Sequence, residues 1–177
     1  VSLSGESAAL SWTVPSWCYP QTDPSPLSYG NGNLSYVWRY VYYAHKHNAS
    51  TMAQYTGKKL YKIKTRLYYA GTYTVYVYTN TINGNPDPDA LEATNTLVCA
   101  EGQTGWREIV FDNPILISGD TDLWIVMKQE DTGKEYPVPS FNLSSYNANA
   151  CYASMESPTG LTPLSNSYTC SWFITAY

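Results

Sequence analysis

The stretch GTYTVYVYTN, residues 71–80, changes side-chain type at every step, and that period of two constrains the chain more than any other feature. Successive side chains of an extended strand point to opposite sides, so Tyr73, Val75 and Val77 share one face and Thr74, Tyr76 and Tyr78 the other. The same period recurs along the chain. Residues 34–44 set Tyr36, Trp38, Tyr40 and Tyr42 against Val37, Arg39, Val41 and Tyr43. KLYKIKTRLYY sets Ile63, Thr65, Leu67 and Tyr69, expected to face inward, against the solvated Lys62, Lys64 and Arg66. GWREIVF sets Trp106, Glu108 and Val110 against Arg107, Ile109 and Phe111. DLWIVMKQ is a near-continuous apolar run, the pattern of a strand buried on both faces. No long window has helical periodicity. HNASTMAQYTGKK reads as the single short helix, with Asn48 or Ser50 to cap its start and Gly57 for a left-handed end.

Eight to ten such strands and one helix predict an all-β fold, an antiparallel β-sandwich of jelly-roll type. A strand at Leu10–Thr13, ended by Pro15, opens the chain; ACYASM and SWFITAY close it. Ala70-Gly71 reads as a hairpin break, and TINGNPDPDALEAT as a long loop. The 177 residues suit one domain. Residues 1–15 are expected to be a linker or edge strand, and 16–177 the single module. The 27 aromatics (18 Tyr, 6 Trp, 3 Phe) supply ample area to bury.

Charge and motifs exclude several functions. The net charge of −4 and pI near 5.0 lack the basic footprint of a nucleic-acid binder. No apolar run approaches a membrane span. There is no G-x-S-x-G and no H-E-x-x-H, and the acids fall in turns rather than at apolar strand centres, so no enzyme activity is expected. Four cysteines without a CxxC pair argue against zinc. Composition suggests an exported protein, and the start inside an ordered-looking segment suggests a piece of a longer one.

Several stretches, in order, carry a resemblance. MAQYTGKKLYKIK contains Y-x-G-x-x-L-x-K-I at Tyr55–Ile63. YTVYVY follows at Tyr73–Tyr78, then GWREIVFDNPILISGDTDLWI at Gly105–Ile125, and SWFITAY closes the chain. Together they resemble the β-sandwich modules of secreted and surface Bacteroidetes proteins, similar to the adhesin domains attached to gingipain-like peptidases. That resemblance implies a secreted or cell-surface adhesion or accessory module, and it transfers no catalytic residues. The four cysteines depart from it.

Four candidate sites follow. Tyr76, Tyr78, Tyr40, Tyr42 and Trp38 are the candidate ligand-binding rings. Two inner faces cannot hold every tyrosine, and exposed rings stack on sugar faces or recognise proteins. For Trp38, Tyr40 and Tyr42 a core-facing stripe is the first expectation and a ligand platform the second. Asp87, Asp89, Asp120 and Asp122 are the candidate metal ligands. Calcium favours loop oxygens, and the resemblance makes structural calcium plausible; no other cofactor is expected. His45 and His47 share one side but lack a nearby carboxylate, so they read as surface histidines at a corner. Cys151 and Cys170 stand at the ends of runs that read as paired strands, and a disulfide there would contribute about 3 kcal/mol; four thiols are the alternative. The functional expectation is a non-catalytic binding module for a glycan or an extracellular protein. A structural spacer that packs against neighbouring domains is the alternative, and a divergent hydrolase is third.

Overall fold

The computed structural model describes residues 27–29, 40–130, 138–142, 147–164, 170–172 and 174–177; residues 27–29, 40, 138–142 and 170 are described by backbone alone. The expected first strand at Leu10–Thr13 lies outside them, as do Cys18, Trp38 and the 1–15 linker. The strands are β1 (Leu27–Tyr29), β2 (Tyr40–His47), β3 (Lys59–Leu67), β4 (Gly71–Tyr78), β5 (Thr81–Ile82), β6 (Asn85–Pro86), β7 (Leu91–Cys99), β8 (Gly105–Leu116), β9 (Leu123–Glu130), β10 (Val138–Asn142), β11 (Tyr152–Ser154), β12 (Thr162–Pro163), β13 (Cys170–Trp172) and β14 (Ile174–Ala176). A single turn of helix, α1 (Ala49–Met52), follows β2 and runs into a 3-10 turn.

The first layer is a six-stranded sheet in the order β12-β11-β2-β9-β4-β7. The second consists of β1-β10-β13 and β14-β3-β8. Since β13 and β14 are one residue apart in sequence, the second layer reads β1-β10-β13/β14-β3-β8. All pairings are antiparallel. The chain changes layer at most connections, as it does in jelly-roll sandwiches. The protein is therefore an all-β antiparallel sandwich with one short helix.

One core joins the two layers. Val41, Tyr43, Tyr73, Val75, Val77, Leu123, Ile125 and Met127 of the first layer meet Leu60, Ile63, Leu67, Ile109, Phe111, Trp172 and Ile174 of the second. Alternation produces most of this: Ile63, Thr65 and Leu67 of β3, Tyr73, Val75 and Val77 of β4, and Ile109, Phe111 and Ile115 of β8 are buried between neighbours that mostly face out, and a register shift after Leu60 brings that even position into the core as well. β9 is the central strand and is buried on both faces from Leu123 to Met127, as its apolar run predicts.

Two turn expectations are corrected. Ala70-Gly71 joins no hairpin, because β3 and β4 belong to different sheets; the chain crosses the sandwich there. The loop that starts TINGNP does contain a hairpin, β5–β6, with Asn83 (φ 52°) and Gly84 (φ 83°) at its tip. Two successive positive-φ residues are what a type I′ turn requires, and Asn-Gly is its best-suited pair.

Candidate functional site

The outer face of the six-stranded sheet carries the even positions of β2, β4 and β9. Register places them in rows. Tyr42, Lys128 and Thr74 lie side by side; Ala44, Val126 and Tyr76 form the next row, with Tyr152 of β11 beside Ala44. Lys46, Trp124 and Tyr78 form the third. The result is a second apolar cluster, separate from the inter-sheet core, containing Tyr42, Ala44, Tyr78, Trp124, Val126, Tyr152 and Leu161 with Tyr76 packed against it.

The rings touch one another. Tyr76 and Tyr78 stack at 6.5 Å between centroids with planes 21° apart, as two positions on one strand face allow. Tyr42 lies 6.4 Å from Tyr76. Trp124 meets Tyr152 edge-on at 4.7 Å. Trp124 is 0% exposed, Tyr78 3% and Tyr42 8%; Tyr76 is only half-buried and is the ring by which the cluster reaches solvent. Burial pushes the Tyr78 hydroxyl up to about 12, with the neighbouring Tyr76 and Tyr42 hydroxyls adding to the effect. Lys128 stands beside Tyr42 and bonds Glu130 at 2.8 Å, which raises its pKa against the opposing effect of burial.

A polar clamp closes one end of this face. The Trp124 indole N–H donates to Thr81 Oγ1 at 2.8 Å, and Thr81 donates to Asp122 Oδ2 at 2.6 Å. Lys46 Nζ reaches the same oxygen at 2.9 Å and lies 5.4 Å from the Trp124 ring centroid. Asp122 Oδ1 accepts from the Ala49 N–H at 2.9 Å. Burial alone would raise the Asp122 pKa; the bonds from Thr81, Lys46 and Ala49 outweigh it and hold the carboxyl below its usual value. The helix start is thus capped from a distant loop, and Asn48, at the N-cap position, makes no side-chain cap bond.

Of the predicted ligand rings, the structure brings Tyr42, Tyr76 and Tyr78 together. Tyr42 faces outward, so the core-facing expectation for the even side of β2 is corrected at that residue: Val41 and Tyr43 take the core instead. The side chain of Tyr40, and Trp38, lie outside the described residues. Lys62, Lys64 and Arg66 do not share this face, since β3 belongs to the other layer. Sequence reasoning missed Trp124 and Tyr152. Trp124 sits inside an apolar run with no alternation to reveal its side, and only its register with Tyr78 places it.

Two of the four acidic candidates, Asp87 and Asp122, have side-chain partners within the protein. Asp87 caps the 3-10 turn Pro88–Ala90, accepting from the Asp89 N–H at 3.0 Å and from Asn80 Nδ2 at 3.1 Å. Asp122 is engaged as described above, and Asp120 is exposed. Among the described residues no three of His, Cys, Asp and Glu gather as a metal site would need.

The histidines overturn the surface reading. His45 and His47 sit at odd positions of β2, 1% and 5% exposed, with rings 6.1 Å apart. His45 Nε2 bonds Ser171 Oγ of β13 at 2.9 Å. Burial lowers the His45 pKa well below the ordinary value, and the neighbouring His47 lowers it further, against a hydrogen bond with the Trp172 backbone that raises it. Burial takes His47 down to about 4.

Cys99 is buried, and its thiol lies 3.3 Å from the Gln103 carbonyl. Cys151 is buried in the core, and the side chain of Cys170 lies outside the described residues. The strands after Cys151 and Cys170 do not pair: β11 pairs with β2 and β12, and β13 with β10. They approach by a different route, the Trp172 indole N–H donating to the Tyr152 carbonyl at 2.9 Å.

Neither a protein-family model, nor a curated protein, nor a solved structure matches the chain. Among the described residues no helix is long and apolar enough to cross a membrane.

Proposed function

We propose that the chain is a non-catalytic binding module of a secreted or surface protein, and that it takes a glycan on the outer face of its six-stranded sheet at Tyr76. One observation carries this reading: five aromatic rings gather on the side of the sheet turned away from the core, and one of them is half-open to solvent. A planar ring suits the CH face of a pyranose, and Lys128 and the tyrosine hydroxyls supply polar groups for sugar hydroxyls. Tyr42, Tyr78 and Trp124 then serve as the packed base that fixes the Tyr76 ring, which lowers the ordering cost of binding.

The deep burial of Tyr42 and Tyr78 favours a second reading, in which this face is a second core within a structural spacer. The experiment is a glycan array followed by calorimetry with Tyr76→Ala and Tyr76→Phe. Tyr76→Ala is expected to weaken binding by about 2 kcal/mol, as for a central ring, with Tyr76→Phe much milder. Tyr78 is a poor probe because its loss would open a cavity. If no glycan or extracellular protein binds, the spacer reading replaces the first. If binding survives Tyr76→Ala unchanged, the site is elsewhere.

A further inference from the structure

Five of the ten Lys and Arg residues fall between positions 58 and 66, and the fold turns three of them to one side. Ile63, Thr65 and Leu67 point into the sandwich, so Lys62, Lys64 and Arg66 stand on the outer face of the β14-β3-β8 sheet. Each lies against an aromatic ring. Lys62 Nζ is 5.2 Å from the Tyr177 centroid, Lys64 Nζ 5.3 Å from that of Trp106, and the Arg66 guanidinium carbon 5.1 Å from that of Tyr68. The rings come from three separate places: the residue after β14, the edge strand β8 and the end of β3. Alternate residues of a strand are about 7 Å apart, so the three cations form a row about 14 Å long. Rings beneath them restrict their rotamers before any ligand arrives. Glu108 occupies Lys62 at 2.9 Å, whereas Lys64 has no carboxylate partner among the described residues.

We propose that this face binds a linear acidic polysaccharide, whose uronate or sulfate groups pair with Lys62, Lys64 and Arg66. Charge complementarity is local here: the chain as a whole is −4 and gives no general attraction for polyanions, yet this row is cationic. The lysines offer point charges along an extended chain, and Arg66 adds a third positive charge at one end of the row. A single-stranded nucleic acid also carries closely spaced anions, but sites for it rely on open rings on which bases stack. Trp106, Tyr177 and Tyr68 each already lie against a cation. The surface therefore suits a ligand that needs anchored charges more than bare ring faces. It lies on the opposite layer from Tyr76, and the two sites stand or fall separately.

The test is affinity electrophoresis and calorimetry at low salt with four probes: polygalacturonate, dextran sulfate, a thymidine oligonucleotide and polyglutamate, with neutral dextran as the blank. Polygalacturonate, dextran sulfate or both are expected to bind and neutral dextran not; which of the two binds tighter separates uronate from sulfate recognition. Binding should weaken as salt rises. Lys62→Gln with Lys64→Gln is expected to weaken it at least about tenfold, as for loss of charge-assisted bonds, with the melting temperature showing that the variant folds. Should that pair not fold, Lys64→Gln alone is read for the same direction of change. No binding of either polysaccharide, equal binding by the variant, or tighter binding of the oligonucleotide or of polyglutamate would each overturn the proposal.

Discussion

Acid should destabilise this fold well before its carboxylates titrate, because its only two histidines are both buried. His47 carries a folded pKa near 4 against an unfolded 6.5, the shift arising from burial. A depressed histidine pKa means that the folded state refuses a proton the unfolded chain accepts. Above pH 6.5 neither state is protonated and the group is silent. As pH falls below 6.5 the unfolded state gains protons first, and stability is lost until the folded pKa is reached. Between about pH 7.5 and about pH 5, linkage gives a loss of about 2 kcal/mol from His47 alone. His45 is lowered too, by burial and then by His47, and adds to the loss in the same sense. Asp122 does not interfere, since its pKa lies below the usual carboxylate value.

Urea unfolding at the two pH values measures this directly: the midpoint should drop while the denaturant slope stays constant. His47→Gln, which cannot titrate, should flatten the pH dependence whatever its effect on stability at neutral pH. A stability difference under about 0.5 kcal/mol would refute the buried, neutral state of both rings, and so would imidazole proton resonances that titrate near the ordinary histidine value.

Other outcomes follow from the same contacts. Gln129 is 1% exposed and neither amide atom has a bonding partner among the described residues, so Gln129→Met is expected to stabilise the fold by about 1 kcal/mol in urea melts; a destabilised variant would show that the amide is satisfied. Asp122 and Asp87 have their oxygens engaged by Ala49, Thr81, Lys46, Asp89 and Asn80. The melting temperature should therefore be equal in chelator and in millimolar calcium, and a clear rise with calcium would place an ion at these loops. Thiol counting on denatured, unreduced protein should find two reactive thiols if Cys151 and Cys170 are bonded; four would remove the bridge.

Period two identified partners on a strand face, but not always which face turns inward. β4 was readable because only one of its faces is apolar: Tyr73, Val75 and Val77 go in, and Tyr76 and Tyr78 go out. β2 was not, because both of its sides carry large side chains. What decides β2 is non-local. Its odd side meets Trp172, with the Tyr43 ring 5.7 Å away at a steep angle, and Ser171, which bonds His45 across 126 residues of sequence. The same pairing draws His45 and His47 into the interior, where local composition suggested a wet corner.

The same distinction governs the functional reading. Tyr76 and Tyr78 could be named from the sequence as rings in surplus of the core, and Tyr42 only as a second choice after a core-facing one, but the exposure of none of them could be read there. Exposure depends on Trp124, Tyr152 and Leu161, which reach the same face from three other segments and bury two of the three rings. A ring that is covered gives a ligand no face, and removing it tests packing before it tests recognition. The half-open Tyr76 is therefore the position where a substitution separates the two, and the ion-paired Lys128 two residues along the central strand from Val126 marks the polar side from which a sugar would approach it.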